Sequence, residues 1–254
     1  MPVPGCGCAI CHSADPKNKR FRTSIVVHLS PADGADQERN VLIDTSTDLR
    51  IQALTFGIKR VDAVLNTHVH ADHVNGIDDL RSFNFAQRAM IPVYATTLSA
   101  QSLQRMFGYA FAHDSKYEGG APPRLSLQTF EPYEPLHLFG VQFIPLVVMH
   151  GKMEVIAFRI GKFAYVTDCS LIPDRSKELL RGLDCLILDG LRVRPHPTHF
   201  TLEQAVREIE ELKPKQSYLT HLSHEVEHQE TNAKLKMLTS LPVELAYDGL
   251  TIDL

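Results

Sequence analysis

Tryptophan is absent from this sequence, and nothing functional follows from that. Other absences exclude more. No apolar run approaches the ~20 residues that cross a bilayer, so no membrane helix is expected. The opening MPVPGCGCAICHS lacks the basic and apolar stretches of a secretory signal, which makes a cytoplasmic location the expectation. Positive charge is not in excess: 26 Lys and Arg face 30 Asp and Glu, for a net charge of −4. A broad basic face for nucleic acid is therefore not expected, although a small cationic pocket is compatible with that balance. Internal repeats and low-complexity segments are missing too.

What is present is an ordinary globular composition, 44% hydrophobic and 22% charged over 254 residues. That length suits one large domain or two small ones, and one domain over 1–254 is the expectation. Histidine is abundant, with 13 copies, and three of the five cysteines fall at positions 6, 8 and 11. In a reducing compartment, clustered cysteines hold metal more often than they form disulfides.

Hydrophobic periodicity organises the chain. FRTSIVVHL (21–29) alternates like a strand, with NVLIDTS (40–46) as its hairpin partner. Helical spacing over 46–57 ends at Gly57, and VDAVLNT (61–67) reads as a buried strand. ADHVNGIDDLRSFN reads as helix, 92–95 as strand, 97–107 as helix, and 108–133 as a long loop. Residues 136–150 read as two strands, and 154–168 as a hairpin turning at Gly161-Lys162. CLILDG (185–190), 216–220 and 243–247 read as strands, and 201–212 and 225–240 as helices. This pattern predicts stacked sheets with helices on the outside.

Residues 66–76, NTHVHADHVNG, place His68, His70, Asp72 and His73 within six positions. A strand end followed by a tight turn holds His68 and His70 on one side, while Asp72 and His73 on a first helical turn face a neighbouring point. Imidazole and carboxylate suit Zn or Mn, and two adjacent ions explain the spacing better than one. His150, Asp168 and His221 each follow an apolar run, as the cluster does, and are the candidate remaining ligands. A second site is read from Cys6, Cys8 and Cys11: three thiolates suit a structural zinc that needs a fourth ligand. His12 is adjacent but awkward. His224, three residues past His221 in THLSH, is preferred.

THVHADH resembles the signature of the metallo-β-lactamase superfamily, and His150, Asp168 and His221 match that family's later ligand positions in order. The resemblance covers essentially the whole chain. It implies an α+β fold, an αββα sandwich of two face-to-face mixed sheets with outer helices and a dinuclear centre at one edge. It also implies that His68, His70 and His150 hold one metal, that Asp72, His73 and His221 hold the other, and that Asp168 bridges both. Together with the cysteine-rich N-terminus, HGK, VTD and THLSH, the pattern is similar to the PhnP-type phosphodiesterases, which hydrolyse a cyclic ribose phosphate. It is similar, less closely, to tRNase Z, whose basic tRNA-gripping arm has no counterpart here. Those relatives open on a strand and a Gly/Ser-rich turn. This chain opens at Met1-Pro2-Val3-Pro4, so either that strand is dispensable or the start lies upstream.

The implied chemistry is hydrolysis of a small cyclic phosphate or nucleotide phosphodiester. A water shared by two cations would be the nucleophile, with Asp72 orienting it. By the same resemblance His199, in RPHPTHFTL, is the general acid, and His196 is a second candidate in that loop. Thr198 or Thr201 is a candidate helix cap. Lys152, two residues past His150, and Arg81 are candidate phosphate anchors, though an exposed cation is an equally good description of each. Asp44 is expected either to hydrogen-bond a ligand histidine or to cap a helix, and Asp189 to support the site from a strand end. Cys169 and Cys185 read as small buried hydrophobes. Alternatives are an RNA nuclease, a thioester or lactone hydrolase on the same scaffold, and a metal-binding protein without turnover. A homodimer is compatible with the family.

Overall fold

The structure, a computed structural model, describes residues 1–30, 38–112 and 121–253. The chain divides into two compact units, one of Arg22–Val141 and one of Met1–Phe21 with Gln142–Leu254. In the first, β1 (Ile25–Leu29) and β2 (Arg39–Ile43) form the expected antiparallel pair, with Ile25 opposite Ile43. β2, β3 (Ala63–Leu65), β4 (Ile91–Thr96) and β5 (Leu125–Phe130) then run parallel in that order. Parallel neighbours need crossovers, and helices supply them. α1 (Leu49–Phe56) ends at Gly57, whose φ of 67° is cheap only for glycine. α2 (Ala71–Val74), α3 (Leu80–Gln87), α4 (Thr97–Met106) and α5 (Gly108–Phe111) follow, and β6 (Leu136–Leu138) is the unit's last strand. Leu49, Leu80, Phe83 and Leu103 from the helices join Leu42, Val64, Val93 and Leu125 from the strands in one core.

Two expectations for this unit need correction. The helix expected from Ala71 onward is three short pieces, α2, a 3-10 turn at Ile77–Asp79, and α3. The chain tightens at Gly76, where an added Cβ would lie 2.0 Å from the Ser46 carbonyl oxygen. The long loop expected over 108–133 contains α5 and β5; its residues 113–120 lie outside the described residues.

In the second unit β7 (Val141–His150), β8 (Met153–Ile160) and β9 (Phe163–Val166) are antiparallel neighbours, turning at Gly161-Lys162 as expected. β9, β10 (Cys185–Asp189), β11 (Gln216–Thr220) and β12 (Val243–Leu245) are parallel in spatial order 9-10-11-12. α6 (Asp174–Leu179), α7 (Leu202–Leu212) and α8 (His228–Leu238) complete it. Thr201, not Thr198, caps α7, in a reciprocal capping box with Gln204.

β7, β9, β10 and β11 all point the same way, so their C-terminal ends share one edge. His150 ends β7, Asp189 ends β10, and Asp168 and His221 come just past β9 and β11. The fold class is α+β with two mixed sheets and flanking helices, as expected. Among the described residues no helix is long and apolar enough to cross a membrane.

Candidate metal centre and active site

In the first unit the cluster is built around Asp44. This carboxylate is fully buried just past β2, in the left-handed conformation at φ 65°. It accepts from the Thr67 N–H at 2.8 Å, the Thr67 hydroxyl at 2.7 Å and His73 Nδ1 at 2.8 Å. It does not cap α1, whose N-cap is Asp48. The Thr67 hydroxyl, its one proton given to Asp44, is an acceptor for His68 Nδ1 at 2.9 Å. One carboxylate thereby sets the tautomer of two histidines: both carry the proton on Nδ1 and keep the lone pair on Nε2. The His68 ring centroid lies 4.6 Å from that of His70 and 4.3 Å from that of His73. Asp72 Oδ2 is 3.7 Å from His73 Nε2. His68 and His73 are buried, Asp72 half-buried and His70 exposed.

The second unit holds the other candidates at its strand edge. His150 Nδ1 donates to the Thr198 carbonyl at 2.7 Å, which again puts the lone pair on Nε2. Asp168 is buried at φ 50°, and the Thr167 hydroxyl donates to its Oδ1 at 2.8 Å. Its two oxygens face different partners. Oδ2 lies 3.9 Å from Nε2 of both His150 and His199, while Oδ1 lies 3.4 Å from Nε2 of His221. His221 is itself at φ 58°. Asp44, Asp168 and His221 are thus non-glycine residues held in a strained region that costs on the order of 1–3 kcal/mol each, as at many functional sites. Ligand atoms of His150, Asp168 and His199 lie within 4.8 Å of one another, as do those of Asp189, His199 and His221.

Asp189 is fully buried and supports His199. It accepts His199 Nδ1 at 3.1 Å, the Phe200 N–H at 3.1 Å and the Cys169 N–H at 3.3 Å. His199 Nε2 is therefore the nitrogen available for proton transfer. His196 is a half-buried neighbour, with ring centroids 5.0 Å apart, and it accepts the Thr198 N–H at 3.3 Å. Burial, then His199 and Arg192, holds its pKa below the usual imidazole value. Lys152 is exposed in the turn after His150, and Arg81 is exposed on α3. Cys169 and Cys185 are buried, as expected, and burial raises both thiols, Cys185 to about 11. The roles of Thr67 and of the Thr198 carbonyl were not readable from sequence, because each depends on a contact distant along the chain or on a main-chain atom.

The cysteine cluster converges on one nitrogen. His224 Nδ1 lies 3.4 Å from Cys6 Sγ, 3.6 Å from Cys8 Sγ and 3.4 Å from Cys11 Sγ. Zinc bonds of about 2.3 Å to sulfur and about 2.0 Å to nitrogen at a tetrahedral angle place S and N about 3.5 Å apart, so this donor set fits. The Cys11 N–H, outweighing burial, lowers the Cys8 thiol to about 6, which favours the thiolate a metal needs. His12 turns instead to the Cys6 carbonyl, at 3.1 Å.

Residues 39–222 match the β-lactamase superfamily domain, and the chain belongs to that superfamily. Within it, the crystal structure of a diphosphatase from the PhnP family is 43% identical, with a TM-score of 0.85 over 98% of this chain and 90% of that one. An octanoyltransferase of Porphyromonas gingivalis (strain ATCC BAA-308 / W83) is 37% identical over 98% of this chain and 48% of its own length. The chain thus spans about half of that curated relative. Human tRNase Z, short form, shares the fold at 17% identity and a TM-score of 0.62, covering 92% of this chain and 95% of that one. The PhnP-like resemblance agrees with the first of these relatives, and tRNase Z is more distant, as expected.

Proposed function

We propose that this chain is a dinuclear metal-dependent phosphodiesterase acting on a small cyclic phosphate or nucleotide phosphodiester. The observation that carries the reading is Asp168, a buried carboxylate whose two oxygens address different histidines, as a bridge between two ions must. In this reading His68, His70 and His150 would hold one ion and Asp72, His73 and His221 the other, within one catalytic domain. The ions would be Mn or Zn, and Cys6, Cys8, Cys11 and His224 would hold a further Zn. Bound divalent ions supply an acidified water and charge neutralisation for in-line displacement at phosphorus. The chain's own residues do the rest. Asp44 and the Thr198 carbonyl fix the ligand tautomers. Asp72 orients the water. His199, held by Asp189, delivers a proton from Nε2 to the leaving alkoxide. Lys152 and Arg81 are the proposed phosphate anchors. A cytoplasmic location and a homodimer belong to the same proposal.

The PhnP-family relative's description as a diphosphatase favours a second reading, cleavage of a P–O–P linkage by the same groups. The test is a panel on purified protein with metal analysis: a bis-aryl phosphate, 2′,3′-cyclic nucleotides, ribose 1,2-cyclic phosphate, a dinucleoside diphosphate, RNA and a thioester, with and without added Mn. Metal-dependent turnover of a small phosphodiester is expected. Thioester or RNA turnover alone would overturn it, and normal metal uptake with no turnover would point to a metal-binding protein.

A further inference from the structure

His224 and Glu225 are neighbours in sequence but serve different systems. His224 faces the three thiolates, whereas the Glu225 carboxylate takes Arg194 on both oxygens, with Nε donating to Oε2 at 3.0 Å and Nη2 to Oε1. Arg192 Nη1 lies 3.9 Å from the same Oε1. Arg192 also donates Nε to the Arg194 carbonyl at 3.2 Å and Nη2 to the Pro195 carbonyl at 3.0 Å. The backbone follows the same route: the Ser223 N–H donates to the Leu191 carbonyl at 2.8 Å and the Leu191 N–H to the Phe200 carbonyl at 3.0 Å. Residues 191–195 are the incoming arm of the loop that carries His196 and His199. Its outgoing arm is fixed by His150 on the Thr198 carbonyl and by Asp189 on His199. Close packing adds to this grip, since a Cβ on Gly151 would meet Thr198 Cγ2 at 2.8 Å.

We propose that Glu225 is a positioning residue for His199, tying the arm that leads to this acid to the chain segment fixed by the cysteine cluster. This rests on the general-acid reading above. An isolated exposed ion pair contributes little. Here the pair is two-pronged, and one carboxylate sits against two guanidinium groups two residues apart, offsetting one of their two charges. Without it, Arg192 and Arg194 repel, and Arg192 is drawn off the carbonyls that shape the turn before His196. His199 then loses its fixed direction while every proposed metal ligand stays in place.

The experiment compares metal-loaded wild type, Glu225→Gln, Glu225→Asp and His199→Ala. A diester with an alkyl leaving group needs a delivered proton, whereas bis(p-nitrophenyl) phosphate releases a stable phenolate without one. Glu225→Gln is expected to lose about 10-fold on the alkyl substrate through mispositioning and under about 2-fold on the nitrophenyl one. Glu225→Asp is expected to recover part of that loss, and His199→Ala to show the same split more strongly. Metal content at both centres and the melting temperature should stay near wild type. Independently of turnover, the ring NMR signals of His199 and His196 in the zinc form should broaden or shift in Glu225→Gln, while that of His224 stays. Unchanged His199 signals, or equal loss on both substrates, overturn the positioning role. Shifted signals in a protein that hydrolyses neither substrate sustain the positioning role and count against the phosphodiesterase reading.

Discussion

At the scale of single residues, the site separates side chains that would carry metal from those that would move protons. His70 is exposed beside His68, with ring centroids 4.6 Å apart, and its proposed part is to ligate. His199 has Nδ1 on Asp189, and its Nε2 is positioned to give up a proton. His199→Ala should therefore keep metal content and lose about 10²–10⁴-fold in turnover, the range a general acid contributes. His70→Ala should lose both. Plasma emission analysis of the purified variants beside their rates checks this, and a metal-free His199→Ala would reassign that residue as a ligand. The candidate ligands were legible in the sequence because His68, His70, Asp72 and His73 are crowded together and the later three follow apolar runs. Asp44 could be read only as one of two roles, since a carboxylate before a helical stretch suits capping as well as support of a histidine. The contact with His73 decides between them. The His150–Thr198 bond was invisible, because a carbonyl carries no signature in side-chain type.

At the scale of elements, most strands and the longer helices were legible: α4, α7 and α8 lie within the expected helices, while β5 fell inside an expected loop. Gln216–Thr220 and the turn at Gly161-Lys162 stand where alternation and turn chemistry put them. α6, at six residues, is too short to show a period, and its N-cap is Pro173 with no capping side chain. The start of α8 carries a buried histidine with a consequence for pH. The Leu245 N–H donates to Asn232 Oδ1 at 2.8 Å, so Asn232 Nδ2 is the donor to His228 Nε2 at 3.1 Å. His228 is therefore neutral in the fold. Burial, then Lys17 and Arg20, outweighs Asp15 and Glu227 and lowers its pKa below the usual value near 6.5. A depressed histidine pKa means the unfolded chain takes the proton first. Its stabilising contribution is whole above about pH 6.5 and declines as pH falls through the window below it. Urea midpoints of wild type should drop between about pH 6.5 and 5 more steeply than those of His228→Gln. Parallel slopes would remove His228 from the acid response.

At the scale of the molecule, the proposal makes one demand that no single residue can meet: ligands far apart in sequence must act on shared ions. Asp44 organises His68 and His73, and Asp168 faces His150, His199 and His221. Each set is incomplete for the proposed four-ligand or five-ligand ions, so metal should bind weakly to either and tightly to both. Ligand present at about 100 times its Kd adds about 2.7 kcal/mol to the state that binds it. Hydrogen exchange of the metal-loaded protein should thus show slowed amides at Thr67–Val74 and, at the same metal concentration, at Asp168–Cys169 and His221–Leu222. His70→Ala should abolish the slowing at Asp168–Cys169 and His221–Leu222 as well as in its own segment. If the Asp168 and His221 amides stay protected in that variant, those residues hold metal without His70, and the shared dinuclear centre is wrong whatever the enzyme turns over.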